Sequence, residues 1–142
     1  MRLSVLQRAY RAAADRAVAH IGVSHALAWP LLMIGRHGNG VRQGQIAELL
    51  GIEGPSLVRL LDQLVAAGLV QRRDDPADGR ARTLHLTPAG ADAQARIEDT
   101  LHQLRAGLFD EVADTDLAAT LRVFEALEQR LGCVIPDMAV GT

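Results

Sequence analysis

Residues 41–90 read VRQGQIAELLGIEGPSLVRLLDQLVAAGLVQRRDDPADGRARTLHLTPAG, and in them two short apolar helices, a glycine-marked turn and an arginine-bearing hairpin follow one another without a break. Ile46, Leu49 and Leu50 recur at three-and-four spacing, which predicts one buried stripe on a helix over Gln43 to Leu50. Gly51 stops that helix, because glycine takes the left-handed backbone conformation without a steric cost. Glu53-Gly54-Pro55-Ser56 then opens a second helix, with proline suited to a first helical turn. Over Ser56 to Leu64 this helix sets Leu57, Leu60, Leu61 and Leu64 on one face and Ser56, Arg59 and Gln63 on the other.

Beyond Ala67-Gly68, the run Leu69 to Arg73 reads as a strand and Thr83 to Thr87 as its alternating partner. The polar stretch Asp74 to Arg82 between them is the expected hairpin tip, carrying Arg80 and Arg82, planar cations that fit phosphates or a narrow minor groove. Asp74, Asp75 and Asp78 lack the alternating ligand pattern of a calcium loop and read as turn formers, with Asp78 orienting a wing arginine. Together these pieces spell a winged helix-turn-helix, in which the second helix enters the major groove of duplex DNA. Ser56 and Arg59 are the first candidates for base contacts, Gln45 and Gln63 assist, and Arg80 and Arg82 hold the flanking minor groove or backbone. The plainer alternative is that Ser56 only caps and Arg59 is a solvated charge; the hairpin that follows weighs against it.

The flanks are helical, with apolar stripes generous for a monomer. Leu3, Leu6, Tyr10, Ala13, Ala17 and Ile21 form the first stripe. Thr87 is an expected N-cap with Pro88 in the first turn, and Ile97, Leu101, Leu104 and Leu108 form the second. A last helix from about Asp116 to Leu131 presents Leu117, Leu121, Phe124, Leu127 and Leu131. The predicted class is mainly α with a small β-hairpin wing, one domain over residues 1–142. Its dimerisation helices are expected at about 1–22 and 88–133 and its DNA-binding region at about 41–88. The competing expectation is that the three stripes cover the winged domain as an ordinary monomeric core. Mechanism favours a homodimer, since a twofold axis presents two recognition helices about one DNA turn apart, on the order of 34 to 36 Å, and so reads an inverted repeat.

Ile46-Ala47-Glu48-Leu49-Leu50-Gly51-Ile52, Ser56-Leu57-Val58-Arg59-Leu60-Leu61-Asp62-Gln63-Leu64, Gly68-Leu69-Val70, Asp75-Pro76-Ala77-Asp78-Gly79-Arg80 and Leu86-Thr87-Pro88-Ala89-Gly90 together resemble the MarR family of bacterial transcriptional regulators. Order and spacing match over about fifty residues. Members commonly carry two adjacent arginines after the wing aspartate; here Gly79 takes the first place and Arg80 the second, with Arg82 nearby. Gln63 stands where a basic residue is frequent and Leu27 where glutamine is. The resemblance implies a dimeric regulator, most often a repressor, released by a small anionic aromatic bound where the dimer helices, the helix after Ser24 and the winged domain meet. It makes Tyr10, Arg11, His20, His25 and Trp29 candidate lining residues; alternatively Trp29 is core and the histidines are surface or cap residues. Ser24 is the expected N-cap of a helix reaching about Arg36, which Pro30 should bend, leaving space.

Charge divides by region. Residues 1–90 hold eleven arginines against seven acidic residues, a balance of +4, whereas residues 91–142 hold four against ten, a balance of −6. Positive charge therefore lies where phosphate contact is expected, and the acidic end is kept off DNA. His20, His25, His37, His85 and His102 are scattered without a helical ligand pair, so no metal and no cofactor is expected. Cys133, the single cysteine, reads as an inert thiol at the end of the last helix. No phosphate loop, nucleophile elbow or converging Ser, His and Asp set appears, and no catalytic residue is expected. Neither a signal peptide nor an apolar run of roughly eighteen residues is present, which implies a cytoplasmic protein without membrane contact. Two other functions remain open: a winged-helix module that binds a protein, and a repressor with no effector.

Overall fold

The structure is a computed structural model and describes residues 1–38 and 40–132. Its elements are α1 (Arg2–Val18), a 3-10 turn (Ala19–Ile21), α2 (His25–His37), β1 (Val41–Arg42), α3 (Gln43–Leu50), α4 (Gly54–Ala66), β2 (Val70–Asp75), β3 (Asp78–Leu86), α5 (Pro88–Phe109) and α6 (Asp114–Leu131). The described residues form two compact units, 1–104 and 105–132. Among the described residues no single helix is long and apolar enough to cross a membrane.

In the first unit the core gathers around α2. Leu31, Leu32 and Ile34 are buried there together with Ile46 of α3, Leu57, Leu61 and Leu64 of α4, Leu84 of β3, and Ile97 and Leu101 of α5. Leucines at 57, 61 and 64 all lie on the inward side of one helix, so burying them turns Ser56, Arg59 and Gln63 to solvent. Each such side chain contributes roughly 1.5–3 kcal/mol of burial, ample to fix the rotation of α4. Leu60, expected in the same stripe, is only half-buried. The helix starts at Gly54 rather than Ser56, with Pro55 in its first turn. Leu27 is a core residue.

Gly51 ends α3 as expected, at φ 61° and ψ 35°. Thr87 caps α5: its hydroxyl accepts the Gly90 N–H at 3.0 Å and donates to the Gly68 carbonyl at 2.6 Å. Ser24 occupies the N-cap position of α2, but no side-chain capping bond forms, and the helix continues through the buried Pro30 to His37. Arg36 of α2 grips Glu98 of α5 through Nε and Nη2, the shortest contact being 2.8 Å.

Three corrections concern the sheet and the flanking stripes. Strand β1, two residues long, pairs antiparallel with β3 (Val41 with Leu84, Arg42 with Thr83), so the wing is a three-stranded sheet in the order β1-β3-β2. The hairpin is also tighter than its sequence suggests. Asp75 pairs with Asp78 across the two-residue turn Pro76-Ala77, and a register shift after Asp74↔Arg82 leaves Gly79, Arg80 and Ala81 as a bulge on β3. Arg80 and Arg82 thus belong to a strand, not to a loop tip. In α1 the fully buried positions are Ala14 and Val18, one residue on from the expected Ala13 and Ala17, which are half-buried. Leu3 and Leu6 are exposed at 63% and 64%.

The second unit contains α6, which begins at Asp114, two residues before the expected start. Asp114 and Asp116 in its first turn and Arg130 in its last complement the helix dipole. Leu121, Phe124, Leu127 and Leu131 are exposed, whereas Leu117 is half-buried.

Candidate nucleic-acid interface

The outward face of α4 carries Ser56, Arg59 and Gln63, all exposed. Ser56 is the third residue of the helix and does not cap it, since Glu53 occupies the N-cap position. Among the described residues no hydrogen bond or ion pair engages the Arg59 guanidinium, so its donors are available to a ligand. Gln63 Nε2 donates to the Arg59 carbonyl at 3.4 Å, one turn back along the helix. Arg72 of β2 braces α4 from below: Nη1 lies 2.5 Å from Asp62 Oδ1, and Nη2 donates to the Val58 carbonyl at 3.3 Å. This arginine, which no local pattern in the sequence singles out, ties α4 to the sheet.

Gln45 has a local task. Its Oε1 accepts the Arg42 N–H at 3.0 Å, closing the first turn of α3 as the glutamine arm of a capping box. Arginine has no acceptor to return the bond. The Gln45 amide nitrogen remains for an external partner.

In the wing, Asp78 does not orient an arginine side chain. Its Oδ1 accepts the Arg80 backbone N–H at 3.0 Å and shapes the bulge instead. The aspartates that meet guanidinium groups are Asp74, 2.6 Å from Arg82 Nη1, and Asp75, 2.7 Å from Arg42 Nη2. The Ala77 N–H first, and then Arg42, hold the Asp75 carboxyl below its ordinary value of 3.8. At the root of the wing, His85 Nε2 lies 3.0 Å from the Thr83 hydroxyl, and burial followed by the nearby Arg73 charge pushes its imidazole below 6.5.

The proposed effector residues are less closely gathered. Trp29 is half-buried and its indole donates to Asp15 Oδ1 at 3.1 Å, tying α2 to α1. His20, in the 3-10 turn, is exposed, with Nδ1 2.7 Å from the Ala17 carbonyl in the last turn of α1. Tyr10 is half-buried and Arg11 exposed. The side chain of His25 and the whole of Cys133 lie outside the described residues.

A sequence model described as the MarR family matches residues 21–81. Among solved structures the chain is similar to the transcriptional regulator PA3341, with 34% identity over 92% of this chain and 95% of that one and a TM-score of 0.83. A MarR transcriptional regulator from Methanosarcina mazei Go1 shares the fold at 20% identity, 92% and 95% coverage and a TM-score of 0.75. So does CouR from Rhodococcus jostii RHA1, solved with p-coumaroyl-CoA bound, at 20% identity, 88% and 87% coverage and a TM-score of 0.73.

Proposed function

The chain belongs to the MarR family, and from that premise we propose that it is a homodimeric, sequence-specific transcription factor, a repressor that occludes a promoter by occupying a pseudo-palindromic operator. DNA binding, dimerisation and response to small ligands are typical of the family. The observation that carries the reading is the division of α4, with Leu57, Leu61 and Leu64 buried on one side and Ser56, Arg59 and Gln63 exposed on the other. That polar row reads base edges in the major groove, Arg59 bridging guanine O6 and N7. Gln45 assists from α3. Arg80 and Arg82, on the strand that forms the wing, contact phosphate or the flanking minor groove, and Asp78 keeps the Arg80 backbone in place.

Residues 41–88 are the DNA-binding region in this reading, and residues 1–22 and 88–133 supply the dimerisation helices. Exposed Leu3, Leu6, Leu121 and Leu127 support it, because a dimer would remove them from water. The effector is a small anionic aromatic near Trp29, Tyr10, Arg11, His20 and His25; the p-coumaroyl-CoA of CouR supports, by analogy, its aromatic part alone. It acts by binding one arrangement of the dimer better than the other, and releases DNA only by that difference. The protein works in the cytoplasm by binding, not by catalysis.

The test is binding of the purified protein to duplex from its own upstream region and to scrambled duplex across a salt series. Selective, salt-sensitive binding is expected. No discrimination at any salt would replace this reading with a winged module that binds a protein partner.

A further inference from the structure

Between the start of α3 and the wing lies an open cleft of about 450 Å³, lined by Arg42, Gln45, Glu48, Arg80 and Arg82 among others. Two of its three cations are already engaged by wing aspartates, and the two pairs are not equivalent. Arg82 and Asp74 are 59% and 72% exposed, an ordinary surface pair of small worth. Asp75, by contrast, is only 10% exposed, and its Oδ1 accepts the Ala77 N–H at 2.8 Å. Oδ2 receives Arg42 twice, from Nε at 2.8 Å and Nη2 at 2.7 Å. The carboxylate is thus built into the turn, while the Arg42 side chain is 49% exposed and lines the cleft.

Arg42 precedes α3 and lies outside both the recognition helix and the hairpin. A carboxylate and a phosphate satisfy the planar fork of arginine in the same way. Counting Arg42, Arg80 and Arg82 against Glu48, Asp74 and Asp75, the cleft and its paired aspartates carry no formal net charge. Net attraction therefore does not draw a phosphate in; exchange of one anion for another does.

We propose that Arg42 is a ligand for a phosphate of the DNA backbone, and that Asp75 is its internal counter-anion, holding in the free protein the charge that the phosphate takes over in the complex. The inference rests on the DNA-binding reading above. It makes Asp75 a residue that sets affinity without touching DNA: the phosphate must compete with a carboxylate fixed close to the same guanidinium.

A double-mutant cycle in the full-length protein tests the exchange, with Arg42→Gln, Asp75→Asn and the pair measured on operator and scrambled duplex across salt. Asparagine keeps an oxygen for the Ala77 N–H and presents an amide to Arg42, so the turn is retained while the ion pair is lost. Arg42→Gln should weaken every duplex alike and lower the salt slope by about one unit. Asp75→Asn should tighten binding, and that gain should vanish in the Arg42→Gln background. An equal gain in both backgrounds means a long-range charge effect and overturns the proposal, as does an unchanged salt slope for Arg42→Gln.

Should Asp75→Asn unfold the wing, a scan of neutral methylphosphonate substitutions in the duplex puts the question to the unmodified protein. It should find a phosphate whose neutralisation weakens wild-type binding and leaves Arg42→Gln indifferent. Equal sensitivity at every position overturns the proposal. If the wild-type protein binds no duplex, the DNA-binding reading itself falls, an outcome distinct from all the others.

Discussion

Gly90 lies directly against the backbone of Leu69: a methyl group built on it would stand 1.9 Å from the Leu69 carbonyl oxygen. That oxygen also accepts the Thr87 N–H at 3.0 Å, so it cannot withdraw without breaking the junction between the wing and α5. Gly90→Ala should therefore destabilise the fold by about 2–3 kcal/mol, although alanine is the better helix former. A urea midpoint equal to that of wild type would mean that α5 does not seat so closely.

Arg59 has its donors free, and its helix face is set by three buried leucines. Arg59→Ala should cost roughly 1 to 3 kcal/mol of operator affinity and relax the preference at one base position per half-site. Thermal stability should not change. A selection from randomised duplexes reads the outcome, and unaltered affinity and preference would remove α4 from the major groove.

Much of this candidate site is legible along the chain because it is made of local pattern. Ile46, Gly51, Leu57, Leu61 and Leu64 announce two helices and the turn between them by spacing alone, and Thr87 with Pro88 announces the start of α5. What the sequence hides is pairing across distance. Strand β1 has two residues, too few to show alternation, and exists only because Leu84 and Thr83 lie opposite. Arg42 and Asp75 are 33 residues apart, and nothing local sends a guanidinium from before α3 to the wing turn. Asp78 looked like the partner of a wing arginine because it is nearest in sequence, whereas the bulge at Gly79–Ala81 turns its carboxylate to a backbone N–H. The residues named for an effector share no such local logic, being polar positions on helices whose common space depends on how two chains meet.

Two groups give the stability a defined acid dependence. Asp75 has its folded value lowered, so its contribution is complete above about pH 4 and is lost as pH falls through that lowered value. His85 is also lowered, by burial first and Arg73 second, so the fold favours its neutral form. The protein should begin to lose stability as pH falls below 6.5 and continue to do so toward the lowered value. His85→Gln should flatten the first decline and Asp75→Asn the second, read from urea midpoints at stepped pH. A profile unchanged by either variant would show that these groups are not the source.

Leu3 and Leu6 are exposed on α1 of the isolated chain, so changing them does not disturb the core. Leu3→Gln with Leu6→Gln should leave the circular dichroism spectrum intact and raise the dimer dissociation constant, seen by sedimentation at falling concentration. Operator affinity should fall with it. A dimer as tight as wild type would place the twofold contact elsewhere.

Trp29 is the single tryptophan of the chain, and its indole is held by Asp15. Titration with a small aromatic carboxylate should change its emission saturably and weaken operator binding. Operator should weaken carboxylate binding by the same factor, since linkage is reciprocal. Saturable binding with no effect on operator affinity would leave a repressor without an effector.

The position of β3 at the centre of the sheet separates what can vary in this protein from what cannot. A one-residue deletion between Thr83 and Leu86 would slip two ladders at once and turn Leu84 out of the core. Gly79, Arg80 and Ala81 have no partner in either ladder. Residues can be gained, lost or exchanged there without disturbing a strand pair, so the wing can change its length while the scaffold that carries it stays the same.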